Sequence, residues 1–355
     1  MNERGIRFHT IRFRALGTEA LVYSPAAILL RDRLVERIEE YEARLSRFRP
    51  ESEVSLLSSH SGRAVPVSPE LFELLTRAMA FWRETSGIFD PLILPALEAA
   101  GYDRSFDTLP RVSDEAPAAP SGTPVTFGEV VLDPERRTVR LPEGARLDLG
   151  GIAKGWVIDR VADMLKPHGP SLIDIGGDMV AFGDGPDGGP GWLVAVANPV
   201  ETDCDLCWLR LRDEAVATST TMRRRWSRGG RWLHHLIDPR TGEPSQTDVL
   251  QATVVARDAV TADVCAKTAL LLGANEGYAW LTARHMAAAL FTHSGHLLRT
   301  PFWERHEVPM RESRGQEGTH ANTDGIDAGA RTRSSRGLRA PGGGRGWLFQ
   351  RRRSA

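Results

Sequence analysis

The sequence predicts an α+β fold, laid out as a single large mixed domain over residues 1–311 with a disordered tail over 312–355. Three observations predict it. Strand-like and helix-like segments follow one another in mixed order. The 355 residues are 41% hydrophobic and 26% charged, enough for one large or two small domains with a full core. No internal repeat recurs at a solenoid period, and from about Glu312 the composition turns to Gly, Arg, Ser and Thr. A segment so poor in apolar residues cannot offset its ordering entropy.

Taken in order, Ile11 to Tyr23 reads as a strand broken at Leu16-Gly17-Thr18. Ala27 to Leu45 is a helix, because Leu30, Leu34, Ile38, Tyr41 and Leu45 recur at helical spacing with charges opposite. Leu71 to Thr85 is a second helix, stopped at Gly87. Ser113 to Pro124, rich in Pro, Ala and Ser, is a surface loop. Val130 to Leu149 holds two strands around a polar turn at Asp133-Pro134-Glu135, and Trp156 to Leu165 is helical. Ser171 to Phe182 and Trp192 to Ala197 are strands joined by a Gly/Asp/Pro-rich loop. Further strands are expected at Cys207 to Arg212, Arg231 to Ile237, Leu250 to Ala256 and Ala288 to His293, with a helix at Thr261 to Leu272.

The formal net charge is −1. From Arg311 to Ala355 ten arginines meet four acids, so that tail carries about +6 and the rest about −7. An acidic body argues against nucleic acid as a partner. No apolar run is long enough to span a bilayer, so no membrane anchor is expected. Met1 to Arg14 is Arg-rich and lacks the apolar stretch of a secretory signal. Together these predict a cytoplasmic protein. Cys204, Cys207 and Cys265 give no disulfide framework, and Cys204 and Cys207 fall on opposite faces of a strand-like segment.

The most informative stretch is Asp148 to Asp159, D-L-G-G-I-A-K-G-W-V-I-D. A strand-like run from Ala145 to Leu149 ends in a Gly pair, and a helical pattern begins with Lys154 and Gly155 in its first turns. Glycine lets backbone approach a ligand closely. A helix start offers unpaired N–H groups and partial positive charge, which suit phosphate, and Lys154 adds a full charge. Neither a Walker A loop nor a dinucleotide fingerprint is present. Two readings stay open from these residues alone: a phosphate-holding turn, or an ordinary strand-to-helix turn with a surface lysine.

Further segments share this glycine-and-acid character: Ser46-Arg47-Phe48-Arg49-Pro50, Gly87-Ile88-Phe89-Asp90-Pro91, Ile173-Asp174-Ile175-Gly176-Gly177-Asp178, Ala215 to Ser219, His235-Leu236-Ile237-Asp238-Pro239-Arg240-Thr241-Gly242, and Thr261-Ala262-Asp263. As an ordered set over about residues 11–300, they resemble the ApbE family of FAD:protein FMN transferases. The resemblance implies a T-fold-like α+β architecture. It implies FAD as substrate, Mg²⁺ as cofactor, and transfer of FMN to a Thr or Ser hydroxyl of an acceptor flavoprotein, with AMP released. Cleaving a pyrophosphate requires charge neutralisation on the phosphoryl oxygens and a positioned hydroxyl.

Residue by residue, the resemblance implies that the Gly151 carbonyl and the Asp263 carboxylate hold the metal and that His235 acts in transfer. Leu16 and Phe48 correspond to residues that lie against the flavin ring. Ile88, Phe89 and Asp90 line the cofactor, and Asp148 and Lys154 contact FAD. Thr218 and Ser219 fall where the family has an A-T-S-G turn, with Thr220 in place of Gly. Four residues after Asp263 the family has a hydroxyl residue or Ala; here Lys267 stands there. A charged lysine cannot ligate a metal, so Lys267 is either an ammonium that neutralises phosphate or a surface residue on an amphipathic helix. Two functional alternatives also stay open: an FAD-binding protein without transfer activity, and a hydrolase that converts FAD to FMN and AMP.

Overall fold

One antiparallel sheet organises the chain, whose computed structural model describes residues 5–118, 125–201 and 203–309. Its eight strands are β1 (His9–Ala15), β2 (Thr18–Ser24), β3 (Ser171–Ile175), β4 (Asp178–Phe182), β5 (Glu214–Thr220), β6 (Val249–Ala256), β7 (Ala287–Thr292) and β8 (Leu297–Arg299). They lie side by side in chain order, each antiparallel to its neighbour. Tight reversals make this possible. Ile175 pairs with Asp178, leaving Gly176 and Gly177 as a two-residue turn at φ +70° and +98°. Those angles suit a primed hairpin turn and explain the Gly pair.

Both faces of the sheet are covered, so alternate residues of one strand enter different cores. In β2, Ala20 and Val22 pack with the helix layer, while Leu21 and Tyr23 pack with Trp192, Val194 and Leu209. The helix layer comprises α1 (Ala27–Leu45), α5 (Ala153–Leu165) and α6 (Ala259–Leu272), with α3 (Pro69–Glu84) in the same core. In α1 the buried Leu34, Ile38, Tyr41 and Leu45 form the expected stripe. The opposite face meets a small antiparallel sheet of Trp192–Ala197, Asp205–Leu211 and Glu307–Val308. Burial on both sides makes β6 almost wholly inaccessible and erases the polar alternation of a half-exposed strand.

Several expectations change. Ile11 to Tyr23 is a hairpin, reversing at Leu16 and Gly17, and Ser171 to Phe182 divides into β3 and β4. Ala145 to Leu149 is not a strand. Ala145, Leu147 and Leu149 are buried in alternation, but the Leu147 N–H donates to the Ser58 hydroxyl and the Asp148 N–H to the Pro91 carbonyl, with no partner strand. Thr218 and Ser219, expected in a turn, lie instead within β5, between β4 and β6. The Arg231–Ile237 strand breaks after His234 and resumes at Ile237–Asp238. Helices α2 (Glu53–Ser59), α4 (Leu94–Ala99) and α7 (Ala274–Ala283) were not expected. The tail over 312–355 lies outside the described residues. Among those described, no helix is long and apolar enough to cross a membrane.

Candidate functional site

The loop from Asp148 to Ile152 is built around one carboxylate. Asp148 Oδ1 accepts from the Gly150 N–H at 2.8 Å, and Oδ2 pairs with Arg47 Nε at 2.6 Å. Both side chains are largely buried, 12% and 6% exposed, so the ion pair is shielded from solvent. Arg47 also donates to the Tyr102 carbonyl and lies 4.1 Å from the Phe48 ring centroid and 4.8 Å from that of Tyr102. Phe48 therefore stands on a guanidinium, with its ring 41% exposed at the surface. Asp148 shapes the loop from within, and Phe48 offers the open aromatic face.

The glycines of this motif serve space rather than positive φ. A Cβ on Gly151 would lie 3.3 Å from Lys267 Nζ and 3.4 Å from Phe89 Cε2. A Cβ on Gly155 would lie 2.7 Å from the Ala259 carbonyl oxygen, so this glycine lets α5 touch the backbone of α6. Asp159 fixes the same junction by accepting from the N–H groups of Ala259 and Val260 at 2.8 and 3.2 Å. Burial pushes the Asp159 carboxyl up to about 6. No side chain caps α5, whose Ala153 N–H donates to the Leu149 carbonyl at 2.8 Å and whose Trp156 N–H donates to the Ile152 carbonyl at 3.1 Å.

From α6, Asp263 and Lys267 project one turn apart. Lys267 Nζ donates to the Gly151 carbonyl oxygen at 2.9 Å and to Asp263 Oδ1 at 3.0 Å. The side chains are 17% and 7% exposed. Asp263 Oδ2 is buried and has no partner. Lys154 forms an ion pair with Asp178, whose Oδ1 accepts from the Thr218 N–H at 3.1 Å. Burial draws the Lys154 ammonium down to about 8; the Asp263 charge opposes this, and Lys267 and Arg224 add to it.

His235 lies in the bend between Arg231–His234 and Ile237–Asp238. Its Nδ1 is sealed from solvent without a partner. Burial above all, then the positive charges of Arg224, Lys267 and Lys154, holds its pKa well below the ordinary histidine range. The imidazole is neutral at pH 7. Its neighbour His234 is committed to structure: Nε2 bonds the Ser245 carbonyl at 3.0 Å, and Nδ1 accepts from the Leu236 N–H.

The structure brings Gly151, Lys154, Asp263, Lys267 and His235 into one electrostatic cluster, with Phe89 beneath Gly151. Ile88 and Phe89 are mainly core residues, 8% and 5% exposed. Asp90 is held by the Leu92 and Phe127 N–H groups and the Thr126 hydroxyl, and burial raises its pKa. Leu16 occupies the β1–β2 turn at φ +52°, its N–H donating to Glu42. Sequence reasoning missed Arg47, Arg224 and the pairing of Asp178 with Lys154. The Asp178 signal was present in the I-G-G-D block, whereas Arg224 sits in an arginine run with no motif.

The expected metal set needs correction. Gly151, Asp263 and Lys267 do converge, but as a hydrogen-bonded ion pair. An ammonium has three donors and no acceptor lone pair, so Lys267 is no ligand. It occupies the two oxygens that would hold a cation, and no group of three His, Cys, Asp or Glu side chains gathers for a metal among the described residues. The residues present do not fit a divalent ion.

The ApbE family model matches residues 10–291. An FAD:protein FMN transferase of Klebsiella pneumoniae is 29% identical over 267 residues, covering 74% of this chain and 81% of the relative. One from Treponema pallidum is 31% identical over 268 residues, covering 72% and 74%. Among solved structures, the ApbE protein of Thermotoga maritima superposes with a TM-score of 0.76 at 24% identity, covering 85% of this chain and 100% of its own. The flavin transferase ApbE of Vibrio cholerae gives 0.70 at 23% identity, with 84% and 99% covered. Sequence match and fold agree over nearly all the described residues, and the chain belongs to the ApbE family.

Proposed function

We propose that this chain is an FAD:protein FMN transferase. It moves the FMN half of FAD onto a threonine or serine hydroxyl of an acceptor protein and releases AMP. The observation that carries this reading is the convergence of Lys267 from α6 on the Gly151 carbonyl and Asp263, next to Lys154 in the first turn of α5, with the charges of both lysines felt at His235. Cations suit a pyrophosphate. A neutral imidazole has a nitrogen lone pair that can accept a hydroxyl proton.

In this reading the exposed Phe48 ring supports the isoalloxazine, and the start of α5 with Lys154 receives the phosphates. The acceptor hydroxyl oxygen attacks the phosphorus on the FMN side, forming a phosphoester as the bridging P–O bond breaks. The hydroxyl proton passes to the His235 imidazole, and AMP leaves carrying the bridging oxygen. Lys154 and Lys267 offset the charge that grows on the phosphoryl oxygens. No oxidation or reduction takes place.

The test is incubation of the protein with FAD and a recombinant acceptor domain bearing a flavinylatable threonine. Covalent flavin fluorescence on the denatured acceptor, with AMP released in equal amount, is the expected result. Free FMN with an unlabelled acceptor identifies a hydrolase instead, and unchanged FAD identifies a binding protein.

A further inference from the structure

We propose that Lys267 is a tethered cation that replaces the divalent ion of this site, so that the protein binds and cleaves the FAD pyrophosphate without added metal. The inference rests on the reading that the site takes FAD. The supporting contact is direct: the Lys267 ammonium bonds the Gly151 carbonyl oxygen at 2.9 Å and Asp263 Oδ1 at 3.0 Å. A backbone carbonyl and a carboxylate are the hard oxygen donors that magnesium prefers. Here both are satisfied by a positive charge that belongs to the chain.

Three features suit the ammonium to this work. It has three N–H donors, and two are spent on Gly151 and Asp263. The third remains for a phosphoryl oxygen. The position is fixed from two sides, because the stem rises from α6 and the head reaches a loop 116 residues away in sequence. Gly151 leaves room for that head, since a Cβ there would press on Nζ and Cε at 3.3 and 3.4 Å. One ammonium carries half the charge of a divalent ion. Lys154 supplies the other positive charge from the first turn of α5, where Asp178 pairs with it.

The experiment compares wild type, Lys267→Thr and Lys267→Arg in EDTA and in millimolar magnesium. Calorimetry reads FAD affinity and, separately, magnesium binding to the protein without FAD; transfer to the acceptor is read in parallel. Wild type is expected to bind FAD equally in both conditions and to take up no magnesium. Lys267→Thr, which exchanges the ammonium for an oxygen ligand, should lose FAD affinity in EDTA by about 10- to 100-fold, the worth of one charged hydrogen bond. Magnesium should restore it and bind measurably. Lys267→Arg should remain indifferent to EDTA.

The wild-type comparison needs no variant, so the proposal is testable even if Lys267→Thr fails to fold. Magnesium-dependent FAD binding or transfer in wild type overturns the inference while leaving the transferase reading intact. Equal FAD binding in EDTA and magnesium, with FMN and AMP released but no labelled acceptor, upholds the tethered cation and overturns transfer; equal binding with FAD left intact overturns metal-free cleavage. A Lys267→Thr protein that matches wild type in both conditions overturns the role of the lysine.

Discussion

Gly155→Ala tests whether the α5–α6 contact holds the site together. The new methyl carbon would lie 2.7 Å from the Ala259 carbonyl oxygen, 2.8 Å from its carbon and 2.8 Å from the Val260 Cα. All three are backbone atoms of α6, and α6 is itself wedged against β5 and β6. Nothing flexible can give way, so the helices must separate by several tenths of an ångström. Overpacking of this kind costs about 1–3 kcal/mol. Replacing glycine inside a helix by alanine returns about 1 kcal/mol. The net loss is therefore about 0–2 kcal/mol, which for roughly 300 folded residues lowers the melting temperature by up to about 3 °C. Because α5 carries Lys154 and α6 carries Asp263 and Lys267, FAD affinity should fall as well. Urea unfolding followed by tryptophan fluorescence, together with FAD calorimetry, measures both. A variant more stable than wild type, with FAD affinity unchanged, would refute the argument that backbone contact dictates glycine here.

Other outcomes follow from the same geometry. His235→Ala should keep FAD binding and reduce transfer by about 10²–10⁴-fold, whereas His234→Ala should lose stability with the chemistry retained; steady-state kinetics of the two variants separates these roles. Lys154, drawn down to about 8, sheds its proton in the free protein as pH rises through that value, while in the unfolded chain it does so only near 10.5. Between those values the unfolded state holds more protons, so this group makes stability rise with pH. FAD phosphate favours the charged form. Binding above about pH 8 should take up a proton and weaken by up to about tenfold per pH unit, seen as a buffer-dependent binding enthalpy; an enthalpy independent of buffer would remove Lys154 from the phosphate site. Arg47→Met strands a buried Asp148 charge and should cost about 3–5 kcal/mol, and adding Asp148→Asn should recover much of it in a double-mutant cycle.

Helical stripes and the signature blocks were legible in the sequence, since apolar spacing set α1 within its observed ends and the ordered motifs led to the family. Hairpins inside single apolar runs were harder. Ile11 to Tyr23 and Ser171 to Phe182 keep strand character on both sides of a two-residue turn, so composition alone does not separate one strand from two. Ala145 to Leu149 misled because burial alternates there without a hydrogen-bonding neighbour. At the site, residue types and motif positions identified Lys154, His235 and Asp263. They did not disclose that Arg47 holds Asp148, that Asp178 holds Lys154, or that Lys267 reaches Gly151. Those pairings span long stretches of chain and exist only once the sheet is assembled.

That separation has a consequence for how the protein matures. The contacts that close the site join Gly151 to Lys267 and Asp159 to Ala259, across 116 and 100 residues. Loop-closure entropy for such distant partners is met late, after local hairpins and helices have formed. A ribosome-bound chain still lacking α6 holds Lys154 and the loop before it but not Asp263 or Lys267. In the proposed reading the chain must be made through α6 before it can retain flavin, and ligand binding then stabilises α5 and α6 together.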